Sequence, residues 1–213
     1  MTPMTPVMPS SPFLCVITDE ALCPISLAEH ALKGDAAMIQ LRHKNASGNQ
    51  LYLWAVAISK LCHEHHALCI INDRVDIAMA SKADGVHLGQ QDMPIAAARK
   101  LLGQHRIIGI SASSTAEAMQ AEKDGADYIG FGHIFPTSSK EKDYSPLGPE
   151  TLRQTTTLLS VPIVAIGGIN HENAASLISC GASGVAVISA ISRAPDQALA
   201  AHQLLCSINK SGS

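Results

Sequence analysis

The sequence predicts an α/β protein with a single domain, a (β/α)8 TIM barrel. Eight short apolar runs alternate with longer segments of helical spacing, and a chain of 213 residues suits one barrel. Most runs are nearly continuous in apolar character, which is typical of parallel strands buried on both faces. The runs are Phe13–Thr18, Met38–Leu41, Leu68–Asn72, Gly85–Leu88, Ile107–Ile110, Tyr128–Phe131, Ile163–Ile166 and Val185–Ile188. An open doubly wound sheet is the structural alternative, although no G-x-G-x-x-G segment comes after the first run to support a dinucleotide site.

Helices are expected in the intervals between these runs. The clearest cover Leu51–His66, Met93–Leu102, Thr115–Lys123 and the segment from Asn170 to Gly181. The first places Leu53, Val56, Ala57, Lys60 and Leu61 along one mostly apolar side. A short sequence pattern also recurs where a predicted helix ends and the next strand begins. It occurs at Ala83–Val86, Gly125–Ile129 and Gly181–Val185. This internal repeat supports a repeated helix-to-strand connection.

Composition predicts where the domain begins and ends and excludes some classes of binding partner. Residues 1–12 contain no charged side chain and no long apolar block, so we expect a disordered tail and then a barrel domain over residues 13–208. A net charge of −3 without a long basic run, and only 3% aromatic residues, argue against nucleic-acid or anionic-membrane partners. Six cysteines without a C-x-x-C pair are expected to be buried and reduced. We therefore expect a cytoplasmic protein.

Polar or glycine residues lie at or beyond the carboxyl end of nearly every run from the second onward. The carboxyl ends of the strands form the working face of a barrel, so these residues are expected to meet at one rim. They are Gln40–Lys44, Asn72–Arg74, His87–Asp92, Ser111–Ser113, Pro136–Lys140, Gly167–Gly168 and Ser189. The longest irregular stretch, His133–Gly148, comes after the sixth run, and its length suggests a functional loop such as a lid.

Two carboxylates, Asp73 and Asp92, lie just past adjacent strands. Carboxylates that meet at one rim repel each other unless a cation joins them, and Mg²⁺ prefers a site with one or two carboxylates, waters and phosphate oxygens. The alternative is that Asp73 and Asp92 cap the helices that come after them.

Cations and glycines at the same rim indicate anion binding. Arg42, Lys44 and Lys140 lie on different loops, where the alternative is that each is a solvated surface charge. Gly167–Gly168 and Val187–Ser189 come after the last two runs, where barrels commonly bind phosphate, although the glycines could equally make a tight turn. We therefore expect two anion sites and one divalent-metal site around a common opening.

Histidines divide into two groups. His63, His65 and His66 lie near a helix end on the opposite face, and we expect them to be solvated. His87 lies inside the fourth run, and we expect it to point into the barrel as a hydrogen-bonded core residue.

The rim residues, in this order, resemble the thiamine-phosphate synthase family over about Phe13 to Ile191. The segments that carry the resemblance are Gln40–Lys44, Ile71–Asp76, Asp84–Asp92, Pro136–Lys140, Ala165–Ile169 and Ile188–Ile191. The resemblance implies a TIM-barrel transferase that uses Mg²⁺ to join hydroxymethylpyrimidine diphosphate to a thiazole phosphate, carboxylated or not, with release of diphosphate.

The resemblance also implies a role for each rim residue. The segment Gln40, Leu41, Arg42, His43 and Lys44, together with Asn72, would hold the pyrimidine diphosphate. Asp73 and Asp92 would bind Mg²⁺ near its diphosphate, and Ser111 and Lys140 would contact the same substrate. Arg42, Lys44, Ser111 and Lys140 would form the catalytic set. Thr137, Ser138 and Ser139, with Gly168, Ile188 and Ser189, would hold the thiazole phosphate.

Three positions depart from the family pattern. His43 stands where Glu is usual, with a side chain expected to point away from the site, and Ser139 replaces Thr but keeps the hydroxyl. Ser113 stands where His is common, beside the expected pyrimidine. Two other functions are compatible with the sequence: a thiazole tautomerase of the same superfamily, and a non-catalytic barrel that binds thiamine phosphate.

Overall fold

A computed structural model describes residues 6–137 and 145–210 and contains a closed barrel of eight parallel strands in sequence order. The predicted fold class is therefore confirmed. The strands are β1 Phe13–Ile17, β2 Met38–Leu41, β3 Leu68–Asn72, β4 Gly85–Leu88, β5 Ile107–Ala112, β6 Tyr128–Gly132, β7 Ile163–Ile166 and β8 Gly184–Val187. Pairing of β1 with both β2 and β8 closes the barrel, with Cys15 opposite Met38 on one side and Ala186 on the other.

Helices connect successive strands and surround the barrel. They are α1 Pro24–Lys33, α2 Gly48–Glu64, α3 Val75–Ser81, α4 Ile95–Leu102, α5 Thr115–Lys123, α6 Gly148–Thr156, α7 Ala174–Ser179, α8 Ser189–Ser192 and α9 Gln197–Asn209. The predicted helix at Thr115–Lys123 matches α5 at both ends, where the Ser114 hydroxyl accepts a hydrogen bond from the Glu117 amide. Near Asn170 the outcome differs: this side chain caps a turn over residues 170–173, and α7 begins only at Ala174.

Two apolar layers explain why the strand sequences are continuously apolar. In β1, the side chains of Phe13, Cys15 and Ile17 belong to a cluster inside the barrel. Leu14 and Val16 point the other way, into a larger cluster between the strands and the helices. Each strand therefore buries both faces, and burial of each large aliphatic side chain contributes about 1.5–3 kcal/mol.

Helix α2 faces the barrel with a different side from the mostly apolar one that contains Leu53 and Val56. Its buried residues include Leu51, Ala55 and Ile58, whereas Leu53 is 52% exposed and Val56 is 41% exposed. Apolar residues occur around most of this helix, so periodicity did not single out the buried side.

The sequence pattern that recurs at helix-to-strand junctions has a structural role at the amino ends of the strands. The Asp84 carboxylate accepts a hydrogen bond from the Cys69 amide at 2.8 Å, and the Asp127 carboxylate accepts one from the Ile108 amide at 2.7 Å. In both cases the aspartate before one strand holds the start of its neighbour. Arg99 completes the second junction with an ion pair to Asp127 at 2.6 Å.

The predictions for the histidines are confirmed, whereas those for the cysteines are confirmed only in part. The histidines at the end of α2 are exposed, as predicted, and His63 pairs with Asp84 at 3.1 Å. All six cysteines are free, but Cys23 and Cys206 are exposed rather than buried. Within the expected tail, Met8 packs against the inner cluster. None of the helices within residues 6–137 and 145–210 has both the length and the apolar character needed to cross a membrane.

Candidate active site

A cavity opens at the carboxyl ends of the strands, as expected for a barrel. Most of the predicted site residues that the structure describes contribute to its walls. These are Gln40, Arg42, Asn72, Ser111, Thr137, Gly168, Ile188 and Ser189. They come from six different strand ends, so the fold collects residues that are far apart in sequence.

Gln40 and Asn72 form a fixed pair of amides on the wall made by β2 and β3. Gln40 is only 5% exposed, and its side-chain amide nitrogen donates to the Asn72 side-chain oxygen at 2.8 Å. This bond defines which atoms of both amides remain for a ligand: the Gln40 oxygen can accept, and the Asn72 nitrogen can donate. The pair therefore presents an ordered polar edge to the cavity.

A chain of hydrogen bonds crosses the cavity wall from Tyr128 through His87 to Ser111. The His87 ring contacts the Tyr128 hydroxyl through Nδ1 and the Ser111 hydroxyl through Nε2, both at 2.9 Å. Burial raises the pKa of the Tyr128 phenol well above its ordinary value, so the phenol stays neutral. The prediction that His87 points inward as a hydrogen-bonded residue is confirmed.

Two glycines make room for this chain. A Cβ atom at Gly109 would collide with the Tyr128 ring, and one at Gly130 would come 2.8 Å from Cε1 of His87. Both glycines lie in strands, where glycine otherwise costs stability, so their presence reflects the space that the two rings need. The chain fixes the position of the Ser111 hydroxyl at the cavity wall.

Asp73 and Asp92 lie against each other at the rim beside the cavity. Burial and the neighbouring Asp92 carboxylate raise the pKa of Asp73 to about 6, while Lys44 and Arg42 oppose that rise. Carboxylates held this close repel each other, and a divalent cation between them would relieve the repulsion. Among the residues described, no cluster contains three or more His, Cys, Asp or Glu side chains suited to a metal. The pair fits Mg²⁺, which uses one or two carboxylates and completes its shell with water and phosphate.

The alternative that both carboxylates cap helices does not hold. Asp73 has a positive φ of 62°, and the residue at the start of α3 is Arg74. Asp92 accepts a hydrogen bond from the Gly89 amide at 2.6 Å and so closes a turn, whereas Pro94 precedes α4. Neither carboxylate is therefore committed to a helix terminus.

Arg42 lies at the cavity wall but is not a solvated charge. It forms an ion pair with Glu20 at 2.9 Å, in which the two side chains are 19% and 27% exposed. Lys44 is on the exposed side of the same loop, close enough to Asp73 to lower its pKa. The two cations therefore lie beside the carboxylate pair, where a bridging diphosphate could contact all of them.

Gly167 and Gly168 form a turn that presses on the loop after β6. Both have positive φ angles, 97° and 67°, and a Cβ at Gly168 would collide with the backbone oxygen of Pro136. The Asn173 side chain donates to the Gly168 carbonyl at 2.9 Å and holds the turn. The tight-turn interpretation is therefore confirmed for these glycines, which also line the cavity, whereas phosphate binding at this turn stays a prediction. Ile188 and Ser189 lie on the adjacent wall, at the start of α8.

Comparisons with known proteins show the family of the chain. The family model described as thiamine monophosphate synthase matches residues 14–191. The chain belongs to this family. It is similar to a thiamine-phosphate synthase of Chlorobium limicola, with 60% identity over 96% of this chain and 97% of that protein. A thiamine-phosphate synthase of Methanospirillum hungatei is 47% identical over 89% of this chain and 94% of that protein. Among solved structures, a thiamine phosphate pyrophosphorylase from Pyrococcus furiosus has a TM-score of 0.88 and 41% identity over 94% of this chain and 97% of that one.

Some residues that the synthase-family pattern singles out lie away from the cavity. The Leu41 side chain is fully buried in the outer cluster, so only its backbone could approach a ligand. The His43 ring packs on Trp54 with centroids 5.1 Å apart, as expected for a side chain that points away from the site. Ser113 donates to the Glu117 carboxylate through both its amide and its hydroxyl, at 2.7 and 2.8 Å, and does not line the cavity.

Ser138, Ser139 and Lys140 lie outside the described residues, together with part of the expected lid loop. Their assignments from the synthase-family pattern stay predictions.

Sequence reasoning missed several residues in or next to this cavity. Tyr128 lies in a strand of mostly apolar residues, so the sequence pattern gives no sign of its polar role. Its side chain points into the cavity because of the barrel geometry alone. Thr18 and Glu20 also escaped notice. The polar residues at the other strand ends identified the rim, and the same inspection of the carboxyl end of β1 would have found these two.

Proposed function

We propose that this protein is a thiamine-phosphate synthase, which condenses hydroxymethylpyrimidine diphosphate with a thiazole phosphate and releases diphosphate. The names of its close relatives support this reaction. The observation that carries the proposal is the placement of two carboxylates and two cations on one side of a cavity and of a glycine turn on another. Such a cavity suits two phosphorylated substrates better than one.

The pyrimidine would lie against Gln40, Asn72 and Ser111. The fixed amide pair and the Ser111 hydroxyl provide donors and acceptors for an aminopyrimidine, whose amino group and ring nitrogens require both. The His87 ring keeps the Ser111 hydroxyl in one place, so binding requires little reorganisation of this wall.

The diphosphate would lie over Asp73, Asp92, Arg42 and Lys44, with Lys140 as a further contact. Asp73 and Asp92 would hold Mg²⁺, which when bound supplies a Lewis acid that neutralises phosphate charge. Arg42 can donate in-plane hydrogen bonds to phosphate oxygens, and the lysines act as point charges. These cations would stabilise the negative charge that develops on the leaving diphosphate.

The thiazole phosphate would be held by hydroxyl groups and backbone on the other wall. The proposed contacts are Thr137, Ser138, Ser139, Gly168, Ile188 and Ser189. This anchor would place the thiazole nitrogen in line with the pyrimidine methylene. The aminopyrimidine can stabilise positive charge at that carbon as its bond to diphosphate breaks, and the thiazole nitrogen then supplies the electron pair of the new bond. Positioning and charge stabilisation therefore suffice, without a nucleophilic side chain.

The test is direct. Purified protein incubated with both substrates and Mg²⁺ should produce thiamine phosphate and diphosphate in equal amounts. Absence of both products, with binding of thiamine phosphate retained, would support the non-catalytic barrel instead. Conversion of one thiazole tautomer to the other in the absence of the pyrimidine would support the tautomerase. Retention of the whole diphosphate-binding set argues against that enzyme, since it would not need the set.

We also propose a cytoplasmic location, which suits six free thiols.

A further inference from the structure

The segment after β1 contacts the loop after β2 through two side chains. Thr18 is 1% exposed, and its hydroxyl donates to the Arg42 carbonyl at 2.9 Å while accepting from the Arg42 amide at 2.8 Å. Both backbone groups of Arg42 are therefore satisfied by one buried hydroxyl. This reciprocal pair fixes the backbone from which the Arg42 side chain departs.

Glu20 holds the side chains and backbone of the same loop. Its Oε1 accepts from Arg42 Nη1 at 2.9 Å and from the Lys44 amide at 3.2 Å. Its Oε2 accepts from the Asn45 side-chain amide at 3.0 Å, with Nδ1 of His43 3.8 Å away. One carboxylate thus contacts four consecutive residues of the β2–α2 loop.

The position of Glu20 calls for a physical reason. A carboxylate beside cations that meet a diphosphate weakens their attraction for it, so Glu20 reduces affinity unless it improves geometry. Arg42 has five N–H donors, and among the described residues Glu20 takes one of them, on Nη1, so that others can donate to phosphate oxygens. The pair is mostly shielded from water, so it restricts the guanidinium more than a surface ion pair would.

We propose that Glu20 is a positioning residue that orders the Arg42–Asn45 loop for the diphosphate of the pyrimidine substrate. This inference rests on the proposed role of Arg42 and Lys44 in binding that diphosphate. The partners of Glu20 within residues 6–137 and 145–210 all belong to the β2–α2 loop, and none belongs to the proposed thiazole-phosphate wall. Loss of the Glu20 carboxylate should therefore weaken binding of pyrimidine diphosphate and leave binding of thiazole phosphate unchanged. The reason is that an unanchored loop must become ordered when the diphosphate binds, which costs binding energy.

The experiment compares KM for each substrate in Glu20→Ala, Glu20→Gln and a matched control, Glu29→Gln. Glu29 also forms a 2.9 Å ion pair, with Lys33, but on the outer surface of α1. We expect Glu20→Ala to raise the KM for pyrimidine diphosphate by about tenfold and to leave the KM for thiazole phosphate within about twofold. Glu20→Gln should fall between, since it keeps the length and one acceptor oxygen, and Glu29→Gln should match the unmodified enzyme.

Arg42→Ala separates this inference from the proposed function. A high KM for pyrimidine diphosphate in Arg42→Ala together with a normal or lower KM in Glu20→Ala would overturn the positioning role while sparing the diphosphate site. A normal KM in Arg42→Ala would overturn the proposed role of Arg42, and with it the inference. An equal rise for both substrates in Glu20→Ala would show a general structural role and would also overturn it.

Discussion

Removal of the Tyr128 hydroxyl tests whether the hydrogen-bond chain to Ser111 stabilises the protein and orders the site. Tyr128→Phe keeps a ring of the same shape in a position that is 2% exposed, so it opens only the space of one oxygen atom. The loss is the bond to Nδ1 of His87 at 2.9 Å. A buried hydrogen bond whose partner stays behind contributes about 1–2 kcal/mol to the free energy of unfolding.

The stability effect can be measured by thermal unfolding. For a chain of this size, about 1 kcal/mol corresponds to a Tm change of roughly 2–4 °C, so we expect Tyr128→Phe to melt roughly 2–8 °C below the unmodified protein. Tyr52→Phe is the matched control, because Tyr52 is 38% exposed on α2 and its substitution should shift Tm by about 1–2 °C at most.

The kinetic effect should be specific to the pyrimidine. A His87 ring without its Tyr128 partner holds Ser111 less firmly, so we expect kcat/KM for pyrimidine diphosphate to fall by up to about tenfold, equivalent to about 1.4 kcal/mol. The KM for thiazole phosphate should not change. If Tyr128→Phe melts like Tyr52→Phe, the hydrogen bond does not stabilise the fold. If Tm falls while the kinetics of both substrates stay normal, the chain does not position Ser111.

Three further sets of substitutions test other parts of the site. Asp73→Ala and Asp92→Ala should each lower turnover at saturating Mg²⁺ by roughly a hundredfold or more with an unchanged circular dichroism spectrum, and near-normal turnover would contradict the metal assignment of that residue. Gly168→Ala should raise the KM for thiazole phosphate and lower Tm more than Gly103→Ala, because both have positive φ but a Cβ at Gly103 meets no atom within 4 Å. Ser113→His should retain turnover, since Ser113 does not line the cavity, and a large loss would show that this position reaches the pyrimidine.

The strands and the rim were predictable from the sequence for one physical reason. Parallel strands buried on both faces must be apolar throughout, so their limits are visible where polar residues begin. The run at Leu68–Asn72 coincides with β3, and the predicted residues Asn72 and Asp73 lie at its carboxyl end. The same inspection identified Gln40 near the carboxyl end of β2 and Arg42 just after it.

The inward or outward direction of a side chain was not predictable in the same way. A strand that alternates polar and apolar residues shows its buried face, but a continuously apolar strand does not. The sequence pattern therefore does not distinguish Tyr128 from other core residues, and it does not single out the buried side of α2, on which the exposed Leu53 does not lie. Whether Asp73 and Asp92 cap helices or lie together at the rim depends on the backbone conformation of two turns, which the sequence pattern does not specify.

The contacts of β1 connect the two walls that we propose for the two substrates. β1 lies between β8, which leads to Ser189, and β2, which leads to Arg42. On the first side, the Ser192 hydroxyl donates to the Asp19 carboxylate at 2.6 Å, and this bond holds the pKa of Asp19 below its ordinary value.

On the second side, the neighbours of Asp19 hold the Arg42 loop. Three consecutive residues, Thr18 to Glu20, thus connect the element proposed for one phosphate with the loop proposed for the other. Neighbouring strands lie a fixed ~4.8 Å apart, so a short segment on the strand between them can set the distance between two bound anions without touching either. The three polar side chains after β1 would thus hold the proposed phosphate-binding wall and the proposed diphosphate-binding loop at the spacing that the strands set.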